Sequence, residues 1–334
     1  MIEFCLIGAG FIGPVHAANI AQHPRARLRY VVDLNRAAAE RIAAKHGSTI
    51  ATLDRALADP ELNAVVICTP PRTHAMLIEA AAKAGKAVFC EKPIDLDMAN
   101  VEACGGVLRR TAVPFFVGFN RRFDPTHKAM REKIARGEIG RPEMLVISSR
   151  DPEISPPDYV AAMPFGIFYD TMIHDFDMVR WLTGDEPVEV YARTAVMLDE
   201  KTNPHRDPDT AMAMLTLKGG ALVHVNSSFR AAYGYDQRIE AFGEKGMLIS
   251  CNQQPTSLES YSAEGVRREP LHYFFVQRYA KAYADELDDF IAALEAKRAP
   301  SIGFEDGKRA LAIAYAAMES AKSGKPVKIG RAHV

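Results

Sequence analysis

Apolar residues at the start of the chain come in short unbroken runs with helical patterns between them. IEFCLIG at 2–8, LRYVVD at 28–33, STIA at 48–51, AVVICTP at 64–70, AVFCEKP at 87–93 and PFFVGFN at 114–120 read as strands. Helical patterns fill the gaps: HAANIAQH, RAAAERIAAKHG, LDRALAD, THAMLIEAAAKAG and MANVEACGGVLRR. Continuous rather than alternating apolar strands, separated by helices, indicate a parallel sheet covered on both faces. Beyond residue 120 the pattern changes. EMLVISS, VEVYARTAVM, TAMAMLTL, ALVHVNSSF and RIEAFG, punctuated by GG and EKG turns, read as antiparallel strands. Two helices, YAKAYADELDDFIAALEAKR and FEDGKRALAIAYAAMESAKSG, close the chain. The prediction is an α/β protein of two domains, 1–120 with the parallel sheet and 121–334 with a large, mostly antiparallel open sheet. The boundary is expected near Asn120–Arg122.

The first strand runs into GAGFIG, that is Gly8-x-Gly10-Phe11-Ile12-Gly13, and a helix follows. Asp33 ends the second strand, twenty positions after Gly13. In that context the turn is a dinucleotide-binding fingerprint of the Rossmann type. Gly8 permits the tight turn, Gly10 lets backbone approach a pyrophosphate, and Gly13 lets the helix pack on the strand. Asp33 would accept hydrogen bonds from ribose hydroxyls and repel a 2′-phosphate, which favours NAD over NADP. Arg36 is the one nearby group that would tolerate the phosphate. Thr69, Pro70 and His74 follow another strand end and are expected to line the dinucleotide crevice. Glu91 and Lys92 end the strand AVFC and are both expected at the cofactor, with Lys92 beside the nicotinamide half. Pro93 restricts the lysine's backbone, and sequence leaves the isomer of the Lys92–Pro93 bond open.

The segment FYDTMIHDFDMVRWL at 168–182 carries three aspartates and a histidine on an otherwise apolar helix. On an α-helical wheel Asp170, His174, Asp177 and Trp181 share one stripe. Asp170 could be a helix cap, the stripe could hold a metal, or His174 could be a general base with a carboxylate beside it. Asp175 points elsewhere and reads as structural.

Composition narrows the partners. With 41 basic and 42 acidic residues in 334, there is no footprint for nucleic acid or an anionic membrane. No apolar run reaches the length of a membrane span, and the N-terminus does not read as a signal peptide. Cys5, Cys68, Cys90, Cys104 and Cys251 form no CxxC pair, which fits a reduced cytoplasm.

GAGFIGPVHAANI, ICTPPRTH, VFCEKPIDL, GFNRRFDP and the Asp170-x3-His174 segment occur in one order along the chain. Together they resemble the Gfo/Idh/MocA family of sugar and polyol dehydrogenases over nearly the whole length. SRDP, IHDFDM and YGYDQRIE are similar to its inositol 2-dehydrogenase branch. The resemblance implies NAD-dependent oxidation of a secondary hydroxyl of a cyclic polyol, myo-inositol to its 2-keto product first among them. It also implies Lys92, Asp170 and His174 as the catalytic set, histidine as the base, with no metal. Another inositol isomer or a pyranose is the alternative, and a non-catalytic dinucleotide sensor the distant one. Hydroxyl-rich ligands need directed polar groups, for which Asn120, Arg121, Asp151, Thr171, Tyr233 and Tyr235 are the candidates. The open sheet face is expected to be covered by a second copy, as a homodimer or homotetramer. Departures from the branch cluster near the ligand: Phe11 in the glycine turn, Tyr169 before Asp170, and the loop AAMPFG at 161–166.

Overall fold

The computed structural model describes residues 1–330 and divides into two compact units, Met1–Phe123 with Lys281–Arg309, and Asp124–Ala280 with Ala310–Val334. In the first unit, strands β1 (Ile2–Ile7), β2 (Ala26–Val32), β3 (Thr49–Ile50), β4 (Ala64–Ile67), β5 (Ala87–Glu91) and β6 (Phe115–Gly118) form one parallel sheet. Its order is β3-β2-β1-β4-β5-β6, the doubly wound arrangement with a crevice at the switch between β1 and β4. Helices α1 (Gly13–Gln22), α2 (Arg36–His46), α3 (Leu53–Ala58), α4 (His74–Lys83) and α5 (Met98–Thr111) make the crossovers. The reason is visible in burial: every residue of β4 and β5 is buried, so helices must cover both faces.

The second unit opens with α6 (Pro125–Ala135), β7 (Pro142–Arg150), α7 (Pro157–Ala162), a π-helical turn at Ile167–Met172 and α8 (Ile173–Thr183). It continues with β8 (Pro187–Ala195), β9 (Thr210–Leu217), β10 (Leu222–Ser228), β11 (Asp236–Gly243), β12 (Gly246–Ser250), the ribbon β13 (Glu259–Ser262) and β14 (Gly265–Arg268), and α9 (Phe275–Arg278). Helices α10 (Ala280–Glu295) and α11 (Phe304–Ser323) and strand β15 (Val327–Lys328) finish the described chain. The seven-stranded sheet runs β12-β11-β7-β10-β9-β8-β15. All its pairings are antiparallel except β7 with β10, so the sheet is mixed, mostly antiparallel.

Two expectations change here. The second domain does not hold 121–334 without interruption, because most of α10 and the first turn of α11 belong to the first unit. The physical cause is aromatic: Phe290 lies 5.8 Å from both Phe89 and Phe116 and 6.3 Å from Phe4, completing the core behind the parallel sheet. Burying such a ring contributes about 1.5–3 kcal/mol. The α-helical wheel drawn through Asp170 also fails at its start. Residues 167–172 form a π turn, whose i→i+5 bonding removes regular α spacing between Asp170 and His174.

The open face of the mixed sheet follows from register. Tyr191, Met214, His224, Val146, Glu240 and Ile249 lie in one cross-strand row. Met144, Met212, Leu222 and Phe242 flank it on the same face, all of them exposed. The opposite face, with Leu145, Ile147, Val223 and Val225, is buried. No helix among the described residues is long and apolar enough to cross a membrane.

Candidate active site

The nucleotide cradle is built by sterics at three glycines. Gly8 has φ of 103°, and a Cβ there would meet the Cys68 carbonyl carbon at 2.6 Å. A Cβ on Gly13 would collide with the Gly8 carbonyl oxygen. Gly10 has open space where its Cβ would be, so an incoming phosphate can approach the backbone there. Phe11 is 69% exposed, while Ile12 is half-buried at the N-cap of α1. Asp33 accepts from Ala9 N–H at 2.5 Å and from Asn35 N–H at 2.6 Å, which fixes the carboxylate beside the turn. Each oxygen keeps a lone pair for a sugar hydroxyl. Arg36 is engaged by Glu40 at 2.9 Å, one turn along α2. These residues fit a dinucleotide.

At the carboxyl ends of β4 and β5 the predicted residues separate into different roles. Thr69 accepts from the Thr73 hydroxyl at 2.7 Å, and Pro70 is exposed. His74 is buried, with Nδ1 2.7 Å from the Pro93 carbonyl and Nε2 2.7 Å from the Thr69 carbonyl. Burial pushes its pKa down, and the two carbonyls pull it back up. It is a bolt between two loops rather than a solvent-facing lining residue. The Lys92–Pro93 bond is cis. Asn120 and Arg121 sit buried in the 3₁₀ turn that follows β6.

In the second unit Asp170 and His174 are both half-buried, Thr171 is 7% exposed, and Asp177 is 1% exposed. Asp170 lies on the π turn, a geometry frequent at functional positions, and accepts from the Tyr159 hydroxyl at 3.2 Å. Asp175 accepts from the Ser149 hydroxyl at 2.6 Å and is fully buried, which pins α8 to β7. The reading of Asp175 as structural agrees with that bond. A crevice beside Asp170 is lined by Tyr159, Met163, Gly166, Ile167, Asp207 and Phe229. Next to the lining residue Gly166, Phe165 adopts φ of 60°. The Phe165 N–H donates to Asp207 at 2.8 Å, and Lys322 sits 4.7 Å from the ring centroid. Burial raises the Asp207 carboxyl, against the pull of the Phe165 and Gly166 N–H groups.

Three other predicted ligand residues lie apart from this crevice's lining. The Asp151 backbone pairs with Ser228 and Ala231 at 2.9 Å each. Tyr233 donates to Asp236 at 2.6 Å and accepts from Arg150 at 3.1 Å, within a polar network on the open-face register of β7, β10 and β11. Tyr235 is buried, with its ring 6.0 Å from Tyr279. Tyr159 and Asp207 were missed by the sequence reading. Neither sits on a periodic element that would have singled it out.

A parallel sheet in this order, with this glycine turn and acid, defines a dinucleotide-binding protein whose second unit carries a mostly apolar crevice with Asp170 and Asp207 in its wall. Comparison with known proteins narrows the class. Residues 2–119 match the oxidoreductase family with an NAD-binding Rossmann fold, and residues 127–249 match the GFO/IDH/MocA C-terminal domain. The chain is 48% identical to the inositol 2-dehydrogenase of Rhizobium meliloti (strain 1021), over 98% of this chain and 99% of that one. The crystal structure of a myo-inositol dehydrogenase from Corynebacterium glutamicum superposes with a TM-score of 0.93 at 40% identity, covering 99% of each chain. The scyllo-inositol dehydrogenase of Lactobacillus casei, solved with NAD(H) and scyllo-inositol, gives 0.91 at 29% identity, over 98% of this chain and 99% of that one. The chain belongs to the GFO/IDH/MocA family of oxidoreductases.

Proposed function

We propose that this protein oxidises one secondary hydroxyl of a cyclic polyol with NAD, and that myo-inositol, giving its 2-keto product, is the first substrate to try. The observation that carries the reading is near-full-length similarity to an inositol 2-dehydrogenase, with the glycine cradle, Lys92, Asp170 and His174 all present. In this scheme NAD accepts the hydride. His174 takes the hydroxyl proton, a task suited to an imidazole that can start neutral near operating pH. Asp170 holds substrate hydroxyls, with Tyr159 fixing one of its oxygens. Lys92 supplies positive charge to the developing alkoxide. Initial rates of NADH formation with myo-, scyllo- and chiro-inositol and with glucose test the scheme. Turnover of one inositol supports it; turnover of glucose alone moves the substrate to the pyranoses, and turnover of none defeats it.

Cofactor choice rests on Asp33. Asp33→Ser should lower kcat/KM for NAD about tenfold to a hundredfold, the loss of hydrogen bonds to a charged acceptor, and should leave NADP use unchanged or better. Equal losses with both cofactors would mean that Asp33 serves only the Ala9 turn.

We also place this enzyme in a reducing cytoplasm as a homo-oligomer. Five free cysteines support the first statement. The exposed apolar residues on that sheet face, Met144, Met212, Met214, Leu222 and Phe242 among them, support the second, since a patch of this kind invites a second copy. Met214→Glu should shift the light-scattering mass toward that of one chain. A wild-type monomer would contradict the assignment.

A further inference from the structure

A buried side-chain cluster in the first unit plays no part in the scheme above. Glu286 lies on the apolar stripe of α10 with Tyr283, Leu287 and Phe290 and has no exposed surface. Neither of its carboxylate oxygens has a hydrogen-bond partner. It faces His16, from the first turn of α1, and Glu91, the last residue of β5. One ring nitrogen or carboxylate oxygen from each of the three lies within 4.8 Å of the others. His16 Nε2 and Glu91 Oε1 are 2.7 Å apart. The rings of Phe89 and Tyr283 close edge-on over His16 at 5.2 and 5.8 Å. Gly118 gives Glu91 its room, because a Cβ there would come to 3.3 Å from Oε2.

An ionised carboxylate at this depth without a donor is expensive, and a second carboxylate beside it makes it more so. Burial first, and the charge of Glu91 second, push the Glu286 carboxyl well above its ordinary range. The other titratable groups near it are His16 on α1, Cys68 after β4 and Tyr283 on α10 itself. The chain immediately after Glu91 is Lys92-Pro93, whose far end His74 holds through the Pro93 carbonyl. Lys92 is therefore flanked by two anchored residues, one tied to α1 through its side chain and one tied to α4 through its backbone.

We propose that Glu286 and His16 are positioning residues for Lys92: His16 holds the Glu91 carboxylate by a direct bond, Glu286, packed within 4.8 Å of both, gives that pair a polar wall, and together they fix the strand end from which the lysine projects. This deepens the dehydrogenase reading and rests on its assignment of Lys92. The alternative use of such a trio, a metal centre, requires the three ligand atoms to close around an ion at bond lengths of about 2.0–2.2 Å, and the direct His16–Glu91 bond already occupies two of them.

The test compares Glu286→Gln, which keeps a neutral side chain of the same shape, with Glu286→Leu. Lys92 acylation, followed by peptide mass spectrometry, reads the lysine's setting without any substrate. Glu286→Leu should change that rate severalfold and leave Lys83, on the outer face of α4, unaffected; Glu286→Gln should match wild type. An infrared carboxylic-acid carbonyl band at pH 7, present in wild type and lost in Glu286→Gln, is expected alongside. With polyol, Glu286→Leu should lower kcat on the order of tenfold to a hundredfold at unchanged NAD affinity. In a Lys92→Met background it should cost nothing further. An unchanged acylation rate, additive losses in the Lys92→Met background, or a metal ion that copurifies with wild type and not with Glu286→Gln would overturn the proposal. Absence of polyol turnover in wild type, with the acylation and infrared results as expected, would defeat the substrate reading alone and leave the positioning of Lys92 standing.

Discussion

Replacing His174 with alanine should lower kcat about a hundredfold to ten-thousandfold, the range associated with loss of a positioned general base, while the dissociation constant for NAD stays unchanged. The separation follows from the fold. His174 is on α8 of the second unit, whereas the glycine turn and Asp33 that receive the dinucleotide belong to the first. A variant that loses NAD affinity and kcat together would point to a folding defect instead, and retained activity would remove His174 from the reaction.

The second large effect concerns stability. Arg278 and Asp124 form an ion pair at 2.5 Å, with their side chains 1% and 3% exposed. Asp124 also caps α6, accepting from the N–H groups of Thr126 at 3.0 Å and His127 at 3.1 Å. Asp124→Asn retains a capping oxygen but removes the charge, leaving the guanidinium buried against the Tyr279 ring, 4.6 Å away. Breaking a buried pair from one side costs about 3–5 kcal/mol, so a denaturation midpoint should fall accordingly. The pH dependence has a defined sign. Burial raises the Asp124 carboxyl, but His127 and Arg278 outweigh it and hold it below the usual carboxylate range. A depressed folded-state pKa contributes stability that is fully present above the unfolded value of about 3.9 and is lost as pH falls through the folded one. Wild type and Asp124→Asn should therefore converge in stability at strongly acidic pH. A constant gap across that window would show that packing, not charge, accounts for the loss.

The parallel sheet was legible because its strands are short, unbroken apolar runs and its glycines sit where only glycine fits. Gly8 and Gly13 meet backbone at the positions where side chains would begin, so the motif and the sterics say the same thing. Asp170 and His174 were legible as polar residues on an apolar helix. Their geometry was not, because the π turn at 167–172 depends on bonding that no side-chain pattern encodes. The return of α10 to the first unit was equally hidden, since Phe290 reads as a core residue without saying which core it fills. Glu286 did carry a sign: an acid three residues after Tyr283 and four before Phe290 stands on the buried stripe of an amphipathic helix. The partners of Tyr233 were not legible in its own segment. Strand alternation puts Arg150 and Asp236 on the open face, and the tyrosine's hydroxyl bonds to both.

The central claim is that a hydride passes from a polyol carbinol carbon to NAD. Its most direct test supplies myo-inositol deuterated at the carbon that becomes the ketone and measures the mass of the NADH formed. The account predicts NADH that carries the deuterium, produced more slowly than from unlabelled substrate if hydride transfer limits the rate. NADH that forms without the label would place the oxidation at another carbon, and no NADH from any inositol would contradict the account.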